Sequence, residues 1–130
     1  MLPIDAICAG FRALGLDGGD PVWIAERLAE GTACTVLTPE GGAAHPTLPV
    51  ETITLQLEVC HPSQQTAHER AWAAYRALHR HDLWTLDGWT ALGLFADAPP
   101  SVLPSLVAGN GPLYRVGFRL RGTFVEHSAS

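Results

Sequence analysis

The nine residues from position 51 to position 59, ETITLQLEV, constrain the fold more than any other part of the chain. Polar and apolar residues alternate strictly here, and only a β-strand places each type on its own face. The apolar face consists of Ile53, Leu55, Leu57 and Val59, and the polar face consists of Thr52, Thr54, Gln56 and Glu58. The pattern therefore predicts a half-buried strand in a sheet with one covered face.

The closing stretch, residues 113–125, has the same alternation over a longer distance. One face carries Tyr114, Val116, Phe118, Leu120 and Phe124, and the other carries Arg115, Arg119, Arg121 and Thr123. Shorter strands are predicted over 33–37 and 89–95, where apolar residues lie between glycines and prolines. Residues 21–30 fit either a strand or a helix, because their first half is rich in β-formers and their second half in helix formers.

Two segments have helical spacing. Near the N-terminus, Ile4, Ile7, Cys8, Phe11 and Leu14 recur at intervals of three and four residues, with Pro3 suited to a first helical turn. A second helix is predicted to begin at Thr66, because Thr66 and Glu69 have the spacing of a capping box. Its inward stripe is predicted to be Ala67, Ala71, Ala74, Tyr75 and Leu78.

Together these elements predict an α+β fold: a mainly antiparallel sheet of about four strands, packed against one long helix, with a short N-terminal helix. A chain of 130 residues fits one domain, 1–130, and we expect 126–130 to form a flexible tail. The stretch PEGGAAHPTLP is predicted to be an exposed loop because it is rich in proline and glycine. Its candidate partner-contacting residues are Glu40, Gly41, Gly42, His45 and Pro46.

Composition narrows the possible functions. No apolar run approaches the roughly 20 residues that span a bilayer, and the N-terminus lacks the basic start of a signal peptide, so we expect a cytosolic site of synthesis. The net charge of −5 argues against nonspecific nucleic-acid binding. Cys8, Cys34 and Cys60 are odd in number and contain no CxxC, which predicts reduced, buried thiols.

The sequence shows no constellation that predicts catalysis. Cys60 and His61 are adjacent, but neighbours on a strand point to opposite faces. The segment HRH at 79–81 lacks the spacing of a metal site and is interpreted as the cationic end of the second helix. We therefore expect a non-enzyme with no cofactor and no metal. The alternative is a small ligand-binding or enzymatic α+β domain with Cys60, His61 or His68 at the mouth of a cavity.

The arginines of the last strand are the candidate subunit interface. Arg115, Arg119 and Arg121 share one face, which is either a solvated strand surface or a contact between subunits. In the second case they would pair with acidic groups of another copy, with Glu51 and Glu58 as the candidates.

The order of elements adds a resemblance. An N-terminal helix precedes TVLTPEGG at 35–42, a proline-containing loop, the strand at 50–59, the helix at 66–79, the turn at 86–88, a break near Pro99 and Pro104, and the strand at 114–121. This order resembles the tail terminator or tail-completion proteins of long-tailed bacteriophages, some of them catalogued as minor capsid proteins. The resemblance implies a homo-hexameric ring at the neck of the virion, which caps the tail tube and joins it to the head connector or stopper protein. Another head–tail connector protein is the alternative within this class, and neither a membrane nor a specific nucleic acid is expected as partner.

Overall fold

Strands dominate the structure. The computed structural model describes residues 2–25, 33–44, 46–108 and 111–127, and within them seven strands form one mixed sheet with two helices on one of its faces. The helices are α1 (Pro3–Ala13) and α2 (Gln64–Leu78). The strands are β1 (Val22–Ile24), β2 (Cys34–Ala44), β3 (Val50–His61), β4 (His81–Thr85), β5 (Trp89–Ala96), β6 (Ser101–Ala108) and β7 (Gly111–Glu126).

The long strand β7 organises the sheet. The strand order is β1-β2-β3-β7-β5-β4, and among the described strands only the β1–β2 pair is parallel. The whole of β3 pairs with one side of β7, from Tyr114 to Val125 of β7. The other side of β7 pairs first with β6 and then, from Leu120 onward, with β5. Consequently β7 lies at the centre and ties together the elements on both sides of it.

The predicted fold class is wrong in its proportions. Strands hold 53% of the described chain, and both helices are short, so the molecule is not a sheet of about four strands on one long helix. β4 and β6 were missed, and β1 was left open between a strand and a helix, for physical reasons. β1 has three residues, β4 carries exposed Asp82 directly after a helix, and β6 contains Pro104 within an irregular stretch of its pairing with β7. None of them has a period-2 pattern long enough to recognise.

The predicted faces of the two long strands are confirmed. Leu55, Leu57 and Val59 of β3 lie in register with Leu120, Phe118 and Val116 of β7, and all six are buried in the main core. The predicted inward residues of α2 pack against the same core, with Tyr75 only partly buried. α1 contributes Ala6, Ile7, Cys8 and Phe11. We call this covered side of the sheet the helix face.

The predicted loop after residue 38 is mostly strand. β2 continues to Ala44, and residues 41–44 pair with residues 51–54 of β3. Pro39 is tolerated because, in the described chain, β1 covers only residues 35–37 and leaves this part of β2 at the sheet edge. Gly41 has φ +99° at a bulge, and a Cβ at Gly42 would overlap the carbonyl oxygen of Thr52. Of the described residues of this predicted loop, only 46–49 are irregular. Position 45 lies outside the described residues.

The ends of α2 differ from the prediction. Ser63 caps the helix, because its Oγ accepts a hydrogen bond from the Thr66 N–H at 3.3 Å, so the capping box at Thr66 is wrong. Glu69 instead accepts a hydrogen bond from Gln65 one turn earlier. The helix ends at Leu78, and Arg80 has φ +62° where the chain turns into β4.

Neither described helix is long and apolar enough to cross a membrane.

The C-terminal end of the described chain is ordered. Glu126 still belongs to β7, and the N–H of His127 donates to the carbonyl of Gly88 at 2.9 Å. The expected tail therefore begins in ordered structure, and positions 128–130 lie outside the described residues.

Candidate interaction surface on the open face of the sheet

The side of the sheet opposite the helices carries the candidate site, and we call it the open face. Its central part is formed by the polar residues of β3 and the arginines of β7, which lie in adjacent register. Arg121 is opposite Thr54, Arg119 is opposite Gln56, and Arg115 is opposite Cys60. The predicted arginine stripe therefore exists as a row along the middle of this face.

The most buried ion pair of the open face joins Arg115 to Glu58. Arg115 donates from Nη2 and Nε to Glu58 Oε2, at 2.5 and 3.1 Å. The Glu58 residue is only 5% exposed. Gly117 lies opposite Glu58, and a Cβ at Gly117 would overlap the carbonyl oxygen of Leu57 and crowd the Cα and Cβ of Glu58. Arg115 also donates to the carbonyl of Pro104 in β6 at 3.2 Å, so one guanidinium links three strands.

The other two arginines form more exposed pairs. Arg119 binds Glu40 of β2 at 2.8 Å and so spans β3. Arg121 binds both carboxylate oxygens of Asp97 at 3.1 and 3.2 Å, and its guanidinium lies 5.7 Å from the ring centre of Phe95. All three arginines are thus neutralised by carboxylates of their own chain. An ion pair with Glu58 of another copy is not needed to neutralise them, although a role of this row in a subunit interface stays a prediction.

The remaining predicted contact residues are dispersed by the fold. Glu51 lies at the start of β3, opposite Ala44 and Phe124, away from the arginine row. Glu40 belongs to the open face through its pair with Arg119. Gly41 and Gly42 form part of the exposed edge of β2, and Pro46 lies in the turn that follows. His45 lies outside the described residues.

The residues considered for catalysis do not converge. Cys60 is fully buried beside Glu58, with 3.8 Å between its Sγ and the carboxylate oxygen. His61 is engaged at the surface, where its Nδ1 accepts the N–H of Ser63 at 2.9 Å. His79 accepts the N–H of Ala96 at 2.8 Å and thereby joins the end of α2 to β5. Within the described ranges, no three His, Cys, Asp or Glu side chains are grouped to hold a metal ion.

The prediction of buried thiols is confirmed. Cys8, Cys34 and Cys60 are all buried and form no disulfide. Cys34 and Cys60 lie opposite each other on β2 and β3, in a small second core with Val36 and Leu113. Burial raises the pKa of the Cys8 thiol to about 11, with the guanidinium of Arg12 acting in the opposite direction. Such a thiol is protonated, and therefore a poor nucleophile, at neutral pH.

Sequence reasoning missed a hollow on the open face near the β4 edge. Its volume is about 610 Å³, and its lining consists of Arg80, Asp82, Leu92, Gly93, Leu94, Phe95 and Thr123. Leu92 and Phe95 are exposed there, as is Leu83 on β4. The alternation of β5 breaks between Ala91 and Gly93, where the register shifts. A glycine inside a strand pattern is the signal that could have indicated this irregularity.

Comparison with solved structures identifies chains with a similar fold. No family model matches the sequence, and neither does any curated protein. The chain is similar in structure to a chain of the virion of a native gene transfer agent (GTA) particle, with a TM-score of 0.60 and 23% identity over 95% of this chain and 93% of that chain. A second solved structure, whose name describes no function, matches over the whole of both chains with a TM-score of 0.57 and 12% identity. These likenesses establish a shared fold.

Proposed function

We propose that the chain is a structural protein of a phage-like particle, made in the host cytoplasm and retained in the virion. The observation that carries this proposal is the fold shared with the chain of the gene transfer agent virion, over 95% of one chain and 93% of the other. The likeness therefore extends over nearly all of both chains. One fold can host many functions, so the likeness supports a role in the virion, and deletion of the gene tests that role.

Within this class we propose a tail terminator. Copies of the chain would form a ring, a homo-hexamer, that caps the last ring of the tail tube and joins it to the head connector at the neck. The support is the order of elements that resembles tail-completion proteins, together with the virion neighbour in structure. Its partners would be further copies of itself, the tail tube protein and the connector or stopper protein.

The open face suits a protein that acts by contact. Its arginines are already held by carboxylates of the same chain, so little side-chain entropy remains to be lost when a partner covers them. Arginine is also enriched at protein interfaces and binds carboxylates through a planar fork. A pre-ordered polar face of this kind favours specific docking over nonspecific adhesion.

We further propose that the protein is not an enzyme and needs no cofactor. The residues that a catalytic alternative would use are buried or engaged in structural hydrogen bonds, as Cys60 and His61 are. The hollow beside β5 is not lined by Cys60, His61 or His68. The same holds for a second hollow of about 280 Å³, whose lining includes Gln56, Glu58 and Arg115. On this basis the chain acts through assembly and not through turnover.

Deletion of the gene in the organism that carries it tests the proposal. Electron microscopy of the lysate is expected to show heads and tails that are not joined, with tails of irregular length, and a plasmid copy of the gene should restore intact particles. Normal particles without the gene would refute a structural role in assembly. Correctly sized tails that fail only at joining would refute the terminator and favour another connector protein.

A further inference from the structure

Two of the three cysteines face each other across neighbouring strands. Cys34 of β2 is the register partner of Cys60 of β3, and directly opposite residues of antiparallel strands point to the same side of a sheet. The Cα atoms of such a pair are about 4.5–5.5 Å apart, within the roughly 4.4–6.8 Å that disulfides span. The two thiols can therefore be joined with little movement of the strands.

The sheet separates the third cysteine from this pair. Cys8 lies on α1 and packs in the main core of the helix face. Cys34 and Cys60 belong to the small second core, on the open face, where Cys60 is opposite Arg115. Along the chain, Cys34 is equally distant from Cys8 and from Cys60, so the entropy of loop closure favours neither partner. The fold alone selects Cys60 as the partner of Cys34.

The thiol of Cys60 is directed at a carboxylate. Its Sγ donates to Oε1 of Glu58 at 3.8 Å, while Oε2 of Glu58 is held by Arg115. The thiolate is the reactive form of cysteine, and a hydrogen-bonded carboxylate gives the thiol proton a route away from the sulfur. Cys60 is therefore the sulfur that is placed to react first.

A small oxidant has a route toward the pair from the open face. The lining of the second hollow includes Glu58, which contacts Cys60, and Val36, which belongs to the same small core as both thiols. Cys34 is 2% exposed and Cys60 is 0% exposed, so a bulky oxidant is excluded. Hydrogen peroxide is small and uncharged, and it oxidises cysteine to a sulfenic acid that condenses with a nearby thiol.

We propose that Cys34 and Cys60 are a redox pair, which hydrogen peroxide oxidises to a disulfide that joins β2 to β3. The Cys60 sulfur attacks one oxygen of the peroxide, the O–O bond breaks, and the leaving hydroxide takes the thiol proton to become water. The Cys34 sulfur then attacks the sulfenic sulfur of Cys60, so that the S–S bond forms, the S–O bond breaks, and the second hydroxide takes the Cys34 proton. The two thiols lose two electrons, and the peroxide gains them as it becomes two waters.

This chemistry needs only the folded chain and so goes beyond the proposed function. Cytosolic thiols are kept reduced by glutathione and thioredoxin, and the pair would stay reduced while the chain is made in the host. Release of a particle removes that protection, and the disulfide would then form in the finished virion. Only this timing rests on the proposed function.

Treatment of the purified, folded chain with hydrogen peroxide tests the pair. The remaining thiols are alkylated, and glutamyl endopeptidase then separates the two cysteines by cleaving at Glu40 and Glu51. Mass spectrometry should show a loss of two hydrogen atoms per chain, a linked peptide pair that contains Cys34 and Cys60, and an alkylated Cys8. Dithiothreitol should restore all three thiols.

Three controls sharpen the test. Cys8→Ser should form the disulfide as the wild type does. Cys34→Ser should leave a sulfenic acid on Cys60, which dimedone captures, and circular dichroism checks that each variant is folded. Wild-type chain oxidised in urea should link Cys34 to Cys8 and to Cys60 in similar amounts, because the two loops have equal length.

Four results would overturn the inference. They are a folded chain that keeps its three thiols at a peroxide concentration that oxidises the chain in urea, a linked peptide that contains Cys8, a disulfide between two chains, and the same mixture of links from folded and unfolded chain. None of them bears on the virion role, which deletion of the gene tests separately.

Discussion

The two faces of the sheet are built from the same strands but differ in apolar burial and in charge. On the helix face, Leu57 lies opposite Phe118, both are buried, and the helices exclude water from them. On the open face, one residue further along β7, Arg119 lies opposite Gln56 and binds Glu40. The alternation of side chains thus separates a surface that holds the fold together from a surface that is available for contact.

This difference indicates that the helix face stabilises the fold, whereas the open face is the surface on which a partner could bind. Apolar burial stabilises by about 25 cal/mol per Å² of surface removed from water, so the helix face supplies most of the folding free energy. Exposed ion pairs contribute little to stability. The two exposed pairs, those of Arg119 and Arg121, are therefore expected to add little stability, whereas the buried pair of Arg115 and Glu58 can add more. A role of this row in contact with a partner stays a prediction.

The largest expected effect is on the helix face. Phe124 is 1% exposed in the main core, and Phe124→Ala should lower the free energy of unfolding by about 3–5 kcal/mol, because it removes apolar burial and leaves a cavity. Thr54→Ala on the open face is the matched control and should stay within about 0.5 kcal/mol. Urea unfolding followed by circular dichroism measures the free energy of unfolding of both variants. Equal losses would contradict the conclusion that the helix face supplies most of the stability.

The second prediction separates the buried from the exposed ion pairs. Glu58→Ala should cost about 1–3 kcal/mol, because it leaves the partly buried guanidinium of Arg115 without its carboxylate. Asp97→Ala removes an exposed partner of Arg121 and should cost less than about 1 kcal/mol. A double-mutant cycle with Arg115→Ala isolates the pair. Coupling near zero would show that Glu58 is buried for another reason.

The third prediction concerns Cys8 on α1. Its thiol has a pKa of about 11 in the folded chain, against 9.0 as its ordinary value, because burial disfavours the thiolate. The unfolded chain therefore releases this proton first, and stability should fall as the pH rises between 9 and about 11, by at most about 1.4 kcal/mol per pH unit. Unfolding of the wild type and Cys8→Ala across this range measures the effect, and parallel slopes would contradict it.

The smallest effect on stability, with a large effect on assembly, is expected for Arg119→Glu. This change places a second carboxylate beside Glu40 at an exposed position, so the free energy of unfolding should change by less than about 1 kcal/mol. If the arginine row is an interface, assembly should be abolished while the circular-dichroism spectrum is unchanged. Normal assembly of the folded variant would assign the row to a solvated strand face.

The sequence was most informative where one period extends over many residues. The alternation in β3 and β7 predicted both strands and their faces correctly, because one-sided burial leaves a pattern that local propensity cannot hide. It failed for β6 and for the second half of β2, since Pro104, Pro39 and the glycines at 41 and 42 are typical of turns. In the folded chain the prolines lie at an edge or an irregular stretch, and Gly41 forms a bulge.

The candidate site was predictable in its residues but not in its pairing. The arginines were evident, whereas their partners Glu40, Glu58 and Asp97 come from three separate places in the chain and meet only through the strand order. The hollow beside β5 depends on a register shift and on the left-handed turn at Arg80. Gly93 inside the strand pattern was a signal of the register shift, whereas the left-handed turn at Arg80 has no distinctive sequence pattern.

Location of the chain in purified particles tests the central claim most directly. An epitope tag after His127 extends the chain beyond its last described strand, and gold-labelled antibody can then be imaged on particles from the producing organism. We predict one cluster of label per particle, at the junction of head and tail. Particles without label, with the tagged chain recovered only in the soluble fraction, would contradict a role as a virion structural protein.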